Sequence, residues 1–211
     1  MSGARYPAVI LAGGQATRMG GGDKSLHDLG GQPILAHVIQ RLTPQVGPIA
    51  LNANGDAARF ADFGLPVIPD SIADFAGPLA GVLAGLDWAA EKGAETLVSV
   101  AADTPFFPTD LVARLDAARA ETGHPIAMAA SPDGGRKSGL GRHPTFGLWP
   151  VALRGDLRAA LTDGLRKVVL WTDRHGTAMA LFDGPGPDPF FNVNTPDDLE
   201  TARARLRETT T

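Results

Sequence analysis

The chain has 211 residues, 44% of them hydrophobic and 20% charged, with a formal net charge of −4 and no cysteine. That length suits one domain with a real core, and the composition is that of an ordinary globular protein. The lack of cysteine excludes disulfides, thiolate metal sites and cysteine nucleophiles, and the acidic balance argues against a nucleic-acid partner. Any anion site must therefore be a local concentration of donors. The first apolar run breaks at Gly13, which is too short for a signal-peptide core or a membrane span, so a cytoplasmic protein without membrane attachment is expected.

Short apolar runs alternate with amphipathic ones along the chain. Residues 7–12 read as a buried strand, and 33–42 (PILAHVIQRL) have helical spacing. A second strand is expected at 47–52 and a short third at 65–68. Residues 81–90 read as a helix, with Pro78 near its first turn, where proline is tolerated. A strand at 96–101 (TLVSVA) and a helix at 108–120 follow. This βαβαβα order implies a parallel sheet covered by helices. Residues 125–150 differ: two strand-like runs, IAMAA and PTFGLWP, enclose the glycine-rich, basic SPDGGRKSGLGRH, read as a loop or sheet edge. Helices are expected at 151–161 and 165–172, short strands at 178–182 and 191–193, and a last helix from Pro196 with Thr195 as its N-cap. The expected fold is a single α/β domain over 1–211, a three-layer αβα arrangement of a mostly parallel, Rossmann-like sheet with a small β excursion.

The loop after the first strand, LAGGQATRMGGGDKSL, holds five glycines, Arg18 and Lys24. It is neither of two common phosphate loops. A Walker A string is absent, and Gly135-Arg136-Lys137-Ser138 lacks the glycine before the lysine. The dinucleotide pattern of spaced glycines leading straight into a helix is also missing. What remains is a long loop at the carboxyl end of a strand, where ligands of open α/β sheets bind. Adjacent Gly13 and Gly14 let backbone N–H groups approach an anion. Arg18 offers a planar fork to phosphate oxygens and Lys24 a point charge. A flexible surface loop with incidental charges is the plainer alternative.

The string LAGG-x-x-x-RMG-x-x-DK resembles the signature loop of nucleotidyltransferases that act on sugar phosphates and on molybdopterin. Four more motifs follow at strand ends: Leu51-Asn52-Ala53-Asn54; Ile68-Pro69-Asp70 with Gly77-Pro78-Leu79-Ala80-Gly81; Ala102-Asp103-Thr104-Pro105; and Phe191-Asn192-Val193-Asn194-Thr195-Pro196. In this order, and with His143-Pro144-Thr145, they resemble the MobA family of molybdenum cofactor guanylyltransferases from Val9 to Leu199. FNVNTP separates the chain from the cytidylyltransferase relatives, which tend to carry an aspartate in place of one asparagine. The resemblance implies the nucleotide-diphospho-sugar transferase type of fold. It also implies GTP and molybdopterin, free or carrying molybdenum, as substrates, with Mg²⁺ as cofactor.

The implied reaction joins two anions, so charge neutralisation must dominate. The resemblance makes Asp103 the metal ligand, and Arg18 and Lys24 the groups that stabilise leaving pyrophosphate. Gly13 and Gly14 would hold phosphates, and the backbone of Leu11, Ala12 and Gly13 would flank the base. Asn52 and Asp70 would contact the nucleoside; a strand-end turn and an N-cap are their structural alternatives. Asn192 and Asn194 are candidates for the second substrate. On a regular strand they would point to opposite faces. His143 either faces the pterin or is a pre-proline residue without catalytic role, and the latter is favoured. Arg136, Lys137 and Arg142 either attract the pterin phosphate or are merely solvated. Trp88, Trp149 and Trp171 read as core, and His27, His37, His124 and His175 lack metal-ligand spacing. A monomer with transient contact to recipient molybdoenzymes or their chaperones is expected. Open alternatives are a CTP-using relative, a sugar-phosphate nucleotidyltransferase, and, in another class, a non-catalytic cofactor carrier. The intact Lys24 and Asp103 argue against the carrier.

Overall fold

The computed structural model describes residues 5–13, 23–72, 77–136 and 138–209. Its strands are β1 (Ala8–Leu11), β2 (Ile49–Asn52), β3 (Val67–Ile68), β4 (Thr96–Ala101), β5 (Ile126–Pro132), β6 (Leu140–Pro150) and β7 (Thr177–Leu181). The α-helices are α1 (Ile34–Leu42), α2 (Pro78–Glu91), α3 (Leu111–Thr122), α4 (Arg154–Thr162), α5 (Val168–His175) and α6 (Pro196–Thr209). All seven strands form one sheet in the order β3-β2-β1-β4-β6-β5-β7. Only β6 runs against its neighbours, β4 and β5; the other pairings are parallel.

Continuous apolar runs put β1 and β4 at the centre, because a strand in a parallel sheet is covered on both faces. Ala8, Val9 and Ile10 are fully buried. Alternation then divides the core. Ala8, Ile10, Leu51, Val98 and Val100 face the layer of α1 and α3, whereas Val9, Leu97 and Met128 face α2, α4 and α5. This is the expected three-layer αβα architecture. Helix α6 joins a smaller cluster, in which Val193, Leu199 and Ala202 pack on Leu29 and Ile34. No helix of the described residues is long and apolar enough to cross a membrane.

Helix α2 begins on Pro78 and presses close to the sheet through two glycines one turn apart. A Cβ at Gly85 would lie 2.7 Å from Val9 Cγ1 and 2.8 Å from Leu97 Cδ2. Gly85→Val therefore overpacks the α2–sheet contact and lowers stability by about 3 kcal/mol. Urea unfolding of the purified variant checks this, and an unchanged midpoint would refute the close packing.

The structure changes three readings. The glycine-rich segment 131–142 is the tip of a long hairpin: Ser131 and Pro132 belong to β5, Leu140 to Arg142 belong to β6, and the pair is inserted into the main sheet. Residues 191–193 form no strand. The Val193 N–H instead donates to the Asp103 carbonyl at 2.8 Å, one contact with a loop and not a ladder. Between the opening loop and α1 there is a short 3₁₀ turn, Lys24–Leu26, that short polar sequence did not reveal. The expected cap of α6 is a reciprocal box. Thr195 Oγ1 accepts from the Asp198 N–H at 3.1 Å, and the Asp198 carboxylate accepts from the Thr195 and Asn194 N–H groups at 2.9 and 3.0 Å. Trp149 and Trp171 are fully buried and Trp88 nearly so, as core residues.

Candidate active site

Parallel strands bring their carboxyl ends to one edge. Leu11 is level with Asn52 on one side and with Ala101 on the other. The chain leaves β1 towards β2 and β3, then crosses back to β4 on the far side, so the crevice at β1 and β4 is a topological switch point. Here Lys24 and Asp103 meet. Lys24 Nζ lies 3.4 Å from Asp103 Oδ2 and donates to Asn194 Oδ1 at 2.7 Å. The two charged side chains are 19% and 22% exposed, open enough to meet a ligand.

Thr104 extends this group. Its hydroxyl lies 3.2 Å from Asp103 Oδ1 and 2.6 Å from Asn192 Oδ1. Asn192 and Asn194 thus reach the same cluster, one through Thr104 and one through Lys24, instead of facing opposite ways. The reason is the missing strand: an irregular backbone does not impose a two-residue alternation. Thr104 was quoted within its motif but given no role, because nothing in a linear string places it beside Asn192.

Across β1, at the end of β2, Asn52 is buried and donates to Asp70 Oδ1 at 2.9 Å. Asn54 donates to Asp70 Oδ2 at 2.8 Å, and its own Oδ1 accepts from the Asp70 N–H at 2.9 Å. Asp70 is therefore held by two asparagines. A Cβ at Gly81 would overlap Asn52 Oδ1 and lie 2.8 Å from Leu11 Cδ2, so the first turn of α2 needs glycine to approach this corner. Arg59, which the sequence did not single out, braces it. Arg59 donates to the Asn54 carbonyl at 2.6 Å and its Nε lies 2.5 Å from Asp23 Oδ2, next to Lys24. With strands about 4.8 Å apart, the corner at the ends of β2 and β3 lies two to three strand spacings, roughly 10–14 Å, from the end of β4 and Asp103.

Of the opening loop, Leu11 and Ala12 line a recess with Lys24, Ser25, Ala102 and Asp103. Their backbone is partly taken: the Ala12 N–H donates to the Asn52 carbonyl, and the Leu11 carbonyl accepts from Ala102. Gly13 is exposed beside it. Gly14 and Arg18 lie outside the described residues, as does Lys137.

A cleft of about 660 Å³ opens beyond β5 and β7, with Asn192 on its wall. His143 and Phe190 stack there with ring centroids 4.1 Å apart, and His143 Nε2 lies 2.7 Å from Ser131 Oγ. Burial lowers the His143 pKa against the pull of Asp188, so the ring is neutral near pH 7. His143 is thus a wall residue of this cleft. Arg136 and Arg142 border the same cleft but are paired, with Asp133 at 2.8 Å and Asp173 at 2.7 Å. Among the described residues no three His, Cys, Asp or Glu side chains cluster to hold a metal.

Residues 8–177 match the MobA-like NTP transferase domain. The chain is 53% identical to the molybdenum cofactor guanylyltransferase of Bradyrhizobium sp. (strain ORS 278), over 93% of this chain and 91% of that one. It is 56% identical to the enzyme of the same name from Rhodopseudomonas palustris (strain HaA2), over 93% and 90%. Among solved structures, molybdopterin-guanine dinucleotide biosynthesis protein A from Archaeoglobus fulgidus superposes with a TM-score of 0.72 at 20% identity, covering 96% of this chain and all of that one. That likeness is one of fold.

Proposed function

The chain belongs to the family of MobA-like NTP transferase domains, and on that premise we propose that it transfers GMP from GTP to the terminal phosphate of molybdopterin. Pyrophosphate is the leaving group. The observation that carries this reading is the convergence of Lys24, Asp103 and Asn194 in the switch-point crevice. Its neighbouring corner supports a nucleoside site. The Asp70 carboxylate has lone pairs to accept from guanine N1–H and N2–H, a donor pair that cytosine lacks, and Asn52 and Asn54 hold it in place. A span of roughly 10–14 Å across β1 suits a nucleotide laid with its base at Asp70 and its phosphates at Lys24.

The acceptor fits on the other side. The cleft at His143 and Phe190 is within the usual size of small-molecule sites and offers a ring face to a flat pterin. Its wall at Asn192 leads through Thr104 to Asp103, so a phosphate at the cleft's end arrives beside the nucleotide's phosphates. An ionised phosphate needs little help from a base. What this chain supplies is position and charge: Lys24 draws electron density from the leaving pyrophosphate, and Asn194 holds Lys24 in the crevice.

Asp103 would hold Mg²⁺. One or two carboxylates with phosphate oxygens and water completing the shell is the habit of that ion, and the partly exposed Asp103 carboxylate can supply one such ligand. When bound, the ion neutralises the two phosphate groups as they approach. The test is to incubate the purified protein with Mg²⁺, molybdopterin and GTP, CTP or UTP in turn, measuring pyrophosphate and the dinucleotide. Product with GTP alone is expected. Product with CTP would overturn the base assignment at Asp70 and Asn52, and no product would overturn the transfer reading.

A further inference from the structure

We propose that the Ser25 hydroxyl is a phosphate ligand of the bound nucleotide, a step that rests on the nucleotidyl-transfer reading. Among the described residues, seven polar ones are buried: Ser25, Asn52, Thr96, Ser99, Thr104, Ser131 and Thr172. Six have side-chain partners: Asn52 with Asp70, Thr96 with Arg119, Ser99 with Trp149, Thr104 with Asn192, Ser131 with His143, and Thr172 with the Val169 carbonyl. Ser25 is the exception. It is 3% exposed, and its Oγ has no hydrogen-bond partner among the described residues. Alanine at this position would avoid the cost of a buried, unpaired hydroxyl, which is about 1–3 kcal/mol. As no described residue pairs with this hydroxyl, its partner is the ligand that fills the recess beside it.

The place defines the partner. Ser25 follows Lys24 directly and lines the recess formed with Leu11, Ala12, Ala102 and Asp103. That recess has a volume of about 20 Å³, room for one oxygen-sized group. The nearby Asp103 carboxylate, contacted by Thr104 and by Lys24, makes no hydrogen bond with Ser25. An acceptor oxygen that also suits the Lys24 ammonium is anionic, and a phosphate oxygen of the nucleotide meets both demands. His27 Nε2 is buried and unpaired as well, but His27 lies outside the lining of the recess and has no such ligand.

The experiment compares the wild-type protein with Ser25→Ala and Ser25→Thr. Thermal melting without ligand is measured, then affinity for GTP and for guanosine, which lacks phosphate. Ser25→Ala is expected to melt no lower than wild type, to bind guanosine equally, and to bind GTP about tenfold more weakly. Ser25→Thr, which keeps the hydroxyl, should recover GTP affinity relative to alanine. Equal GTP affinity in wild type and Ser25→Ala would overturn the proposal and leave the hydroxyl to a water molecule. A lower melting temperature in Ser25→Ala, with guanosine and GTP weakened alike, would also overturn it, in favour of a structural role. A wild-type protein that binds guanosine and GTP equally, or neither, would overturn the nucleotidyl-transfer reading itself, and that outcome is visible before any variant is made.

Discussion

Asp103→Asn is expected to reduce guanylyl transfer by about 10³-fold or more while the protein stays folded. Asparagine keeps the shape of the side chain and an oxygen for the Thr104 hydroxyl, which now sits 3.2 Å from Oδ1. The ion pair with Lys24, at 3.4 Å and partly exposed, contributes no more than about 1 kcal/mol to stability. Lys24 also retains Asn194, its nearer partner at 2.7 Å. The negative charge is what disappears, and with it the carboxylate proposed to hold Mg²⁺. Circular dichroism melting and pyrophosphate release on the same preparation separate the two effects. A variant that transfers at the wild-type rate would remove Asp103 from the chemistry.

Lys24→Ala should lower kcat/KM for GTP by roughly 10²–10³-fold, the usual loss when one preorganised donor to developing charge is removed. The effect is expected mostly in kcat, because the leaving pyrophosphate gains charge in the transition state. Lys24→Arg should recover only part of it, since a planar guanidinium does not reproduce a compact ammonium seated between Asp103 and Asn194. The Lys24–Asn194 contact adds a sharper check. If Asn194 acts by seating Lys24, then Asn194→Ala lowers the rate in wild type but adds little in Lys24→Ala, a non-additivity that a double-mutant cycle measures. Full additivity would instead give Asn194 an independent contact with the acceptor.

Much of this arrangement was legible in the linear chain because it depends on local rules. The runs AVIL and TLVSVA could only be central strands, since apolar residues on both faces require cover on both sides. Pro78 and Thr195 marked helix starts, proline by its fixed φ and missing N–H, threonine by its capping oxygen. Alternation of element types then implied a mostly parallel sheet, and strand ends told that Asn52, Asp70 and Asp103 would lie along one edge of it. The length and residue order of the glycine-rich loop identified the chemistry.

Other features depended on contacts between residues far apart in the chain, and these only the tertiary structure decided. The segment at Phe191 to Val193 has strand-like composition, but its backbone bonds to the Asp103 loop and joins no strand. That one difference set Asn192 and Asn194 on a common cluster 88 and 170 residues from their partners Thr104 and Lys24. The basic tip at 131–142 became a hairpin because its strands completed the sheet between β4 and β7, and its closure turned His143 towards Phe190. Arg59 joined the nucleoside corner to Asp23, a link that no spacing rule encodes. Local propensity and periodicity determine which elements form and where they stop; which side chains then meet, and that the buried hydroxyl of Ser25 meets none of the described residues, is a matter of three-dimensional packing.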